Sequence, residues 1–261
     1  MFIILCLILL GALVFMFGAC IFSFLNVIVY RVPRKMSFIK GFSICPTCGH
    51  RLGVPDLVPV FSYLFLRGRC RYCKAAIGVR DTLVEAMGGV LAMICAYKYI
   101  YKEENIAAFL LVFLFFCVLT VVAFIDMDTM EIPDGCSIAI GLLAVAAAFI
   151  MPQVSILQRG IGFLCISLPM LIVTLLIPGA FGGGDIKLMA AAGLFLGWKL
   201  TAVSAALAVL AGGAWGCWLL AARKAGRKDH FAFGPFLCVG LVIGTLWGTY
   251  FIDWYMGFLV Y

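Results

Sequence analysis

The stretch LLVFLFFCVLTVVAFIDMDTMEIPDG, residues 110–135, decides the fold class. From Leu110 to Ile125 it is almost wholly apolar, and it then breaks into Asp126, Asp128, Glu131 and Asp134. An apolar run of about 20 residues is what a helix needs to cross a bilayer. Scanning outward with that window gives about eight such segments, near 2–29, 83–100, 106–125, 137–151, 160–178, 186–198, 200–222 and 235–252. The composition agrees: 66% of residues are hydrophobic, 12% are charged and the mean hydropathy is +1.18. A soluble domain carries about 25% charged residues, so a water-soluble globule is excluded. The expected fold is an all-α polytopic membrane protein with about eight transmembrane helices, embedded in a lipid bilayer.

Residues 1–30 form the expected first transmembrane helix. The opening run lacks a basic residue before its apolar stretch and exceeds the roughly 7–15 residues of a signal-peptide core, so it reads as a retained span. Residues 31–82 are the one sizeable polar segment, and residues 83–261 form a second membrane domain. Ten of the 19 Lys and Arg residues lie between Arg31 and Arg80, and Arg223, Lys224, Arg227 and Lys228 lie between the last two spans. Cytoplasmic loops retain the excess of Lys and Arg. Eight alternating spans then put both basic segments in the cytoplasm and both termini outside.

Of the 12 cysteines, Cys6, Cys20, Cys95, Cys117, Cys136, Cys165, Cys217 and Cys238 lie singly in or beside apolar runs, where they behave as small hydrophobes. The other four form Cys45-Pro46-Thr47-Cys48 and Cys70-Arg71-Tyr72-Cys73, with 21 residues between the pairs. Each pair turns two sulfurs toward one point, and two pairs complete a tetrahedron around zinc. Cys45, Cys48, Cys70 and Cys73 are therefore the expected ligands of a zinc-ribbon-like cytoplasmic module. Four thiolates leave no open position, so the zinc is structural. Disulfides are the competing reading, disfavoured in a reducing compartment. Arg67, Arg69, Arg71 and Lys74 are suited to offset the charge of the tetrathiolate, and His50 reads as a surface residue.

Acidic residues beside membrane spans are costly and each needs a reason. The segment Gly182-Gly183-Gly184-Asp185-Ile186-Lys187 precedes the sixth span, and Asp185 lies 59 residues after Asp126. The alternating topology places both at the cytoplasmic boundary. Two carboxylates sharing a proton can activate a water and polarise a peptide carbonyl. The bland alternatives are solvated helix ends or, for Asp185, an N-cap. Asp128 is about 200° around the helix from Asp126 and cannot face the same partner. Lys187 is expected to pair with Asp185 or reach the interface. Asp134 reads as part of the N-cap region of the fourth span, and Glu85 as a cap, an ion-pair partner or a site residue. Gly182 to Gly184 are expected to allow unusual dihedrals and close backbone approach.

These residues resemble the type IV prepilin peptidases, bifunctional leader peptidases and N-methyltransferases among the GxGD membrane aspartic proteases. Ser23-Phe24-Leu25-Asn26-Val27 with Tyr30-Arg31-Val32-Pro33 resembles the amino-terminal signature of that family. The cysteine pairs bracket Pro59-Val60-Phe61-Ser62-Tyr63-Leu64, similar to its cytoplasmic module. The Asp126 segment, with Pro133-Asp134 following, and Gly182-Gly183-Gly184-Asp185 resemble its two catalytic motifs. Phe233-Gly234-Pro235-Phe236 resembles the signature opening its last span. The resemblance implies that Asp126 and Asp185 are the catalytic pair of a membrane aspartic protease domain over 83–261. It further implies cleavage of the basic leader of type IV prepilins or pseudopilins at the cytoplasmic face of a bacterial inner membrane, followed by methylation of the new N-terminus from S-adenosylmethionine. Nucleic acid is not an expected partner. Val54-Pro55 and Asp81-Thr82 depart from the family pattern, which makes methyl transfer less secure than proteolysis. A presenilin-like protease without methyl transfer, and an ion transporter with a zinc-ribbon loop, are the alternatives.

Overall fold

A computed structural model describes residues 2–37, 39, 41–222 and 232–259. Arg223, Lys224, Arg227 and Lys228, which carry part of the orientation argument, lie outside the described residues. The chain divides into two compact units, Met1–Phe109 and Leu110–Tyr261.

In the first unit, helix α1 (Phe2–Arg31) packs along α3 (Val79–Cys95). Small residues set the approach: a Cβ on Gly18 would strike the Gly88 carbonyl, and one on Gly88 would strike the fully buried Phe22 ring. Lipid tails are as apolar as leucine, so close backbone packing supplies much of the association between membrane helices. Asn26 Nδ2 donates to the Asp81 carbonyl at 3.2 Å and ties the polar ends of α1 and α3. Between them lie a 3-10 turn at Val54–Asp56, the short helix α2 (Phe61–Phe65) and the cysteine module. A π-helical turn over Ala96–Lys102 ends α3. Asn105 Oδ1 then accepts the Ala108 N–H at 2.9 Å to start α4 (Ile106–Thr129).

The second unit holds the rest of α4, then α5 (Asp134–Ile150), α6 (Ile156–Cys165), α7 (Ser167–Leu176), α8 (Gly183–Leu196), α9 (Trp198–Ala221) and α10 (Gly234–Leu259). Phe115, Phe116, Leu119, Val122 and Ile125 of α4 are buried, and the Phe115 and Phe195 rings stack at 4.3 Å. Helix α8 is packed by α5 and α6, and α10 lies along α9. Gly162 of α6 and Gly193 of α8 meet backbone to backbone, leaving no room for a side chain on either. One stripe of α5 (Ile138, Leu142, Val145, Phe149) is exposed.

All eight apolar segments are helical, but six stretches among the described residues are long and apolar enough to cross a membrane: Ile4–Arg31, Val79–Lys102, Ile106–Thr129, Ile156–Leu176, Trp198–Leu219 and Gly234–Phe258. The expectation of eight full spans therefore rests on α5 and α8. With 17 and 14 residues, they are about 26 and 21 Å long at 1.5 Å per residue, against a hydrocarbon core of about 30 Å. The Ile156–Leu176 span is itself interrupted at Ile166. Pro169 explains the break, because its ring displaces the carbonyl four residues earlier and donates no N–H.

Arg159, in the apolar α6, is only 4% exposed. Its guanidinium donates to the carbonyls of Ala147 (2.8 Å) and Met151 (3.0 Å) at the end of α5, to Leu194 (3.0 Å) and Phe195 (2.7 Å) at the end of α8, and to Val154 (3.3 Å). The last carbonyls of a helix have no partner within it and carry partial negative charge. One cation thus satisfies two helix ends without a carboxylate. We expect Arg159→Ala to destabilise the protein by about 3–5 kcal/mol, because it leaves the carbonyls of two helix ends without donors at about 1–3 kcal/mol for each buried group, read as a lower unfolding midpoint in detergent or nanodiscs. Arg159→Lys should recover only part of this loss, because an ammonium cannot fork between two helix ends.

Candidate active site and metal centre

Asp126 sits in the last turn of α4 and is 5% exposed, while Asp185 sits in the first turn of α8 and is 8% exposed. Three features of the chain bring these ends together. Helix α4 closes with Met130 in the left-handed region (φ 54), its N–H bonded to the Asp126 carbonyl at 2.8 Å. The chain then turns so that Ile132 lies against Gly184, where an added Cβ would approach the Ile132 Cβ to 2.8 Å. Asp134, the first residue of α5, binds Lys187 Nζ at 2.7 Å. Ile132 and Asp134 thus fix the segment after α4 to the turn that carries Asp185.

The result places the two carboxylates within electrostatic range of one another, with the buried Cys238 of α10 within range of both. Each carboxylate accepts one backbone N–H: Gly234 donates to Asp126 Oδ2 at 3.0 Å and Gly182 to Asp185 Oδ2 at 3.2 Å. Neither forms an ion pair among the described residues. Two carboxylates so placed cannot easily both ionise and tend to hold one proton between them. Such a pair can take a proton from water with one member and give one to a carbonyl oxygen with the other.

Several expectations for the surrounding residues change. Lys187 pairs with Asp134, not Asp185, because α8 turns its side chain toward the start of α5. Gly182 has an ordinary extended conformation (φ −70, ψ 143), and none of Gly182 to Gly184 has a positive φ. The glycine requirement is steric and falls on Gly184. Asp185 accepts a bond from the N-cap residue but is not itself the cap; Gly182 is. Asp128 is exposed, on the other side of α4 from the buried Asp126. Glu85 Oε2 accepts the Val60 N–H at 2.8 Å. Val60 has φ 63 and ψ −51, and the Phe61 N–H reaches the Pro59 carbonyl at 2.6 Å, so Glu85 braces a strained γ-turn. Gly234 is the residue of the candidate site whose contact with Asp126 the sequence did not disclose. A Cβ there would lie 2.6 Å from Asp126 Oδ2.

In the first unit, the Sγ atoms of Cys45, Cys48, Cys70 and Cys73 all lie within 4.8 Å of one another. The Cys45–Cys73 separation is 3.8 Å, and a tetrahedron with zinc–sulfur bonds of about 2.3 Å has edges of about 3.8 Å. The donor set and spacing fit a closed zinc site, and the N–H groups of Cys48 and Thr47 point at Cys45 Sγ. His50 stays outside the quartet and stacks on Tyr72 at 3.6 Å. Asp56 joins the halves by accepting from Arg71 Nε (2.6 Å), Tyr72 Oη (3.2 Å) and the Gly53 N–H (3.1 Å). The Arg71 bond is the main reason its carboxyl stays below the usual carboxylate range.

A helical membrane protein with a four-cysteine module and two buried carboxylates at helix ends is the class that fold and site define. Residues 16–99 match the model described as the bacterial peptidase A24 N-terminal domain, and residues 113–217 match that of the type IV leader peptidase family. Proteins named prepilin leader peptidase/N-methyltransferase are similar over most of the chain. The Aeromonas hydrophila protein is 31% identical over 94% of this chain and 93% of its own. That of Aeromonas salmonicida strain A449 is 30% identical over the same shares. That of Bacillus subtilis strain 168 is 28% identical over 94% of this chain and 97% of its own. No solved structure gives a significant match. The chain belongs to the type IV leader peptidase family.

Two outcomes follow for the isolated protein. Cys45→Ser should lower zinc below one per chain, measured by atomic emission, because a three-sulfur site loses the closed tetrahedron. Gly234→Ala should displace the Asp126 carboxylate and reduce turnover of a peptide substrate more than it lowers the unfolding midpoint.

Proposed function

We propose that this protein removes the basic leader from type IV prepilins or pseudopilins, with Asp126 and Asp185 as the water-activating pair, and then methylates the new N-terminus. The observation that carries the reading is the burial of both carboxylates at facing helix ends, each held by a single backbone N–H. The ionised member takes a proton from water as that water attacks the scissile carbonyl carbon. The protonated member donates to the carbonyl oxygen. Collapse of the tetrahedral intermediate returns a proton to the leaving amine and restores the shared-proton state. No other nucleophile is needed.

The basic segment 31–80 supports a cytoplasmic location for this chemistry in a bacterial inner membrane, with both termini outside. Asp126 ends α4 and Asp185 begins α8, so a shared face requires an even number of crossings between them. With Ile156–Leu176, long and apolar enough to cross, taken as one crossing, α5 supplies the second in this reading. A scissile bond at that face, just before the apolar helix of the substrate, would meet the pair at the water–lipid border.

Methyl transfer rests on the names of the related proteins. S-adenosylmethionine would supply the methyl group, and no residue of this chain is assigned to it. Val54-Pro55, in the 3-10 turn, and Asp81-Thr82, in the first turn of α3, mark where this chain departs from the family pattern.

Co-expression with a candidate prepilin, followed by mass spectrometry, reads the cut position and any added methyl group together. Asp126→Asn and Asp185→Asn should each reduce processing by about 100-fold or more while the protein still accumulates in the membrane. Wild-type processing by both variants would remove the pair from the mechanism. Because one proton is shared, the rate should fall on the acid side when both carboxyls are protonated and on the alkaline side when both are ionised.

A further inference from the structure

The two halves of the cysteine module follow one plan and differ at one telling position. In each, the N–H of the residue after the second cysteine returns to the carbonyl of the first: Gly49 to Cys45 at 2.9 Å, Lys74 to Cys70 at 3.0 Å. In each, the first cysteine N–H reaches the carbonyl five residues on: Cys45 to His50 and Cys70 to Ala75, both at 2.9 Å. An isolated bridge closes each turn, Ile44 with Arg51 and Arg69 with Ala76. This plan puts the residue after the second cysteine in the left-handed region, with φ 70 at Gly49 and φ 62 at Lys74. Glycine is free to adopt that conformation, whereas a residue with a Cβ is disfavoured there by about 1–2 kcal/mol. The second knuckle therefore keeps a lysine where the first shows that glycine serves.

Lys74 lines a cavity of about 420 Å³ with Leu66, Arg67, Arg69 and Cys70. Arg67 also has a left-handed backbone, φ 52. Among the described residues, no acid pairs with Arg67, Arg69 or Lys74, whereas Arg71 is engaged by Asp56 at 2.6 Å. Compensation of the cysteine sulfurs does not account for the grouping, since Arg67, Arg69 and Lys74 all lie on one knuckle, whereas the other has glycine at the place matching Lys74 and its Arg51 lies over the Phe42 ring. Lys74 is five residues from Val79, the start of a span, so the cavity lies at most about 17 Å from that helix end. This is within reach of lipid headgroups.

We propose that this cavity binds a phosphate group, either on the head of an anionic phospholipid or on a free phosphate-bearing anion. Two guanidinium forks and one ammonium offer charge-assisted donors that suit phosphate oxygens. A basic leader segment would be repelled, so the cavity is distinct from the peptide site proposed above.

The test uses the full-length zinc-loaded protein in nanodiscs of three kinds: phosphatidylcholine alone, phosphatidylcholine with phosphatidylglycerol, and phosphatidylcholine with added inorganic phosphate. Native mass spectrometry counts retained phosphatidylglycerol, phosphorus NMR follows free phosphate, and atomic emission follows zinc. Lys74→Gly is the informative variant, because glycine fits the backbone and should leave the unfolding midpoint unchanged or raised. It should keep zinc and weaken anion retention about fivefold, the effect of roughly 1 kcal/mol per basic residue at a membrane surface. The Arg67→Gln, Arg69→Gln pair should weaken it further. Saturable retention in the phosphatidylglycerol arm assigns the site to lipid, and in the phosphate arm to a free anion; either supports the site. Retention in neither arm, retention unchanged in all variants, or zinc lost in step with the anion overturns it.

Discussion

The close approach of Ile132 to Gly184, reinforced by the Asp134–Lys187 ion pair, is the contact on which the second unit's chemistry depends. Buried carboxylates resist ionisation, and two side by side resist it more. Were both ionised, the ends of α4 and α8 would repel one another. The short chain after Met130 opposes this by fixing apolar and charged groups of one end to the helical turn that carries the other acid. Removal of a single Cβ at residue 184 allows the approach, and the ion pair lies at its exposed rim. Gly184 therefore serves first to seat another segment of the same chain.

Arg159 has a comparable part in the same unit. It lies at the other ends of α5 and α8, where the terminal carbonyls of both helices converge on one guanidinium. Helix α8 is thus held at both ends by groups contributed by other helices: Ile132 and Asp134 beside Asp185, and Arg159 beside Leu194 and Phe195. Such bracing suits a helix too short to be positioned by the bilayer itself. It also suits a carboxylate that must keep its place while its proton count changes.

Much of this was legible in the sequence because membrane burial leaves coarse signals. Apolar runs marked the long helices but not the short α2, and two cysteine pairs at ribbon spacing marked the candidate metal centre. The alternating topology put Asp126 and Asp185 at one boundary and the motif resemblance paired them, but no local pattern states which loop touches which helix. Gly234 was visible within Phe233-Gly234-Pro235-Phe236, but its N–H acquires a role only when the start of α10 meets the end of α4. Arg159 lies one residue before the apolar run 160–178, so that run did not signal its burial between two helix ends. The pairing of Lys187 with Asp134 was beyond sequence reasoning, because two acids lay within reach and only the direction of α8 selects between them. Pro169 could have foretold the break at Ile166, and the shortness of α5 and α8 was visible in the brevity of the apolar runs 137–151 and 186–198, though not their exact ends.

The exposed face of α5 carries a last implication. Ile138, Leu142, Val145 and Phe149 present a greasy strip on a helix about 4 Å shorter than an average hydrocarbon slab. Lipids meeting that strip must compress or tilt to match it, at a fraction of a kcal/mol per ångström. In the proposed topology, where α5 crosses the membrane, this strip marks the place where the helix is shorter than the slab around it.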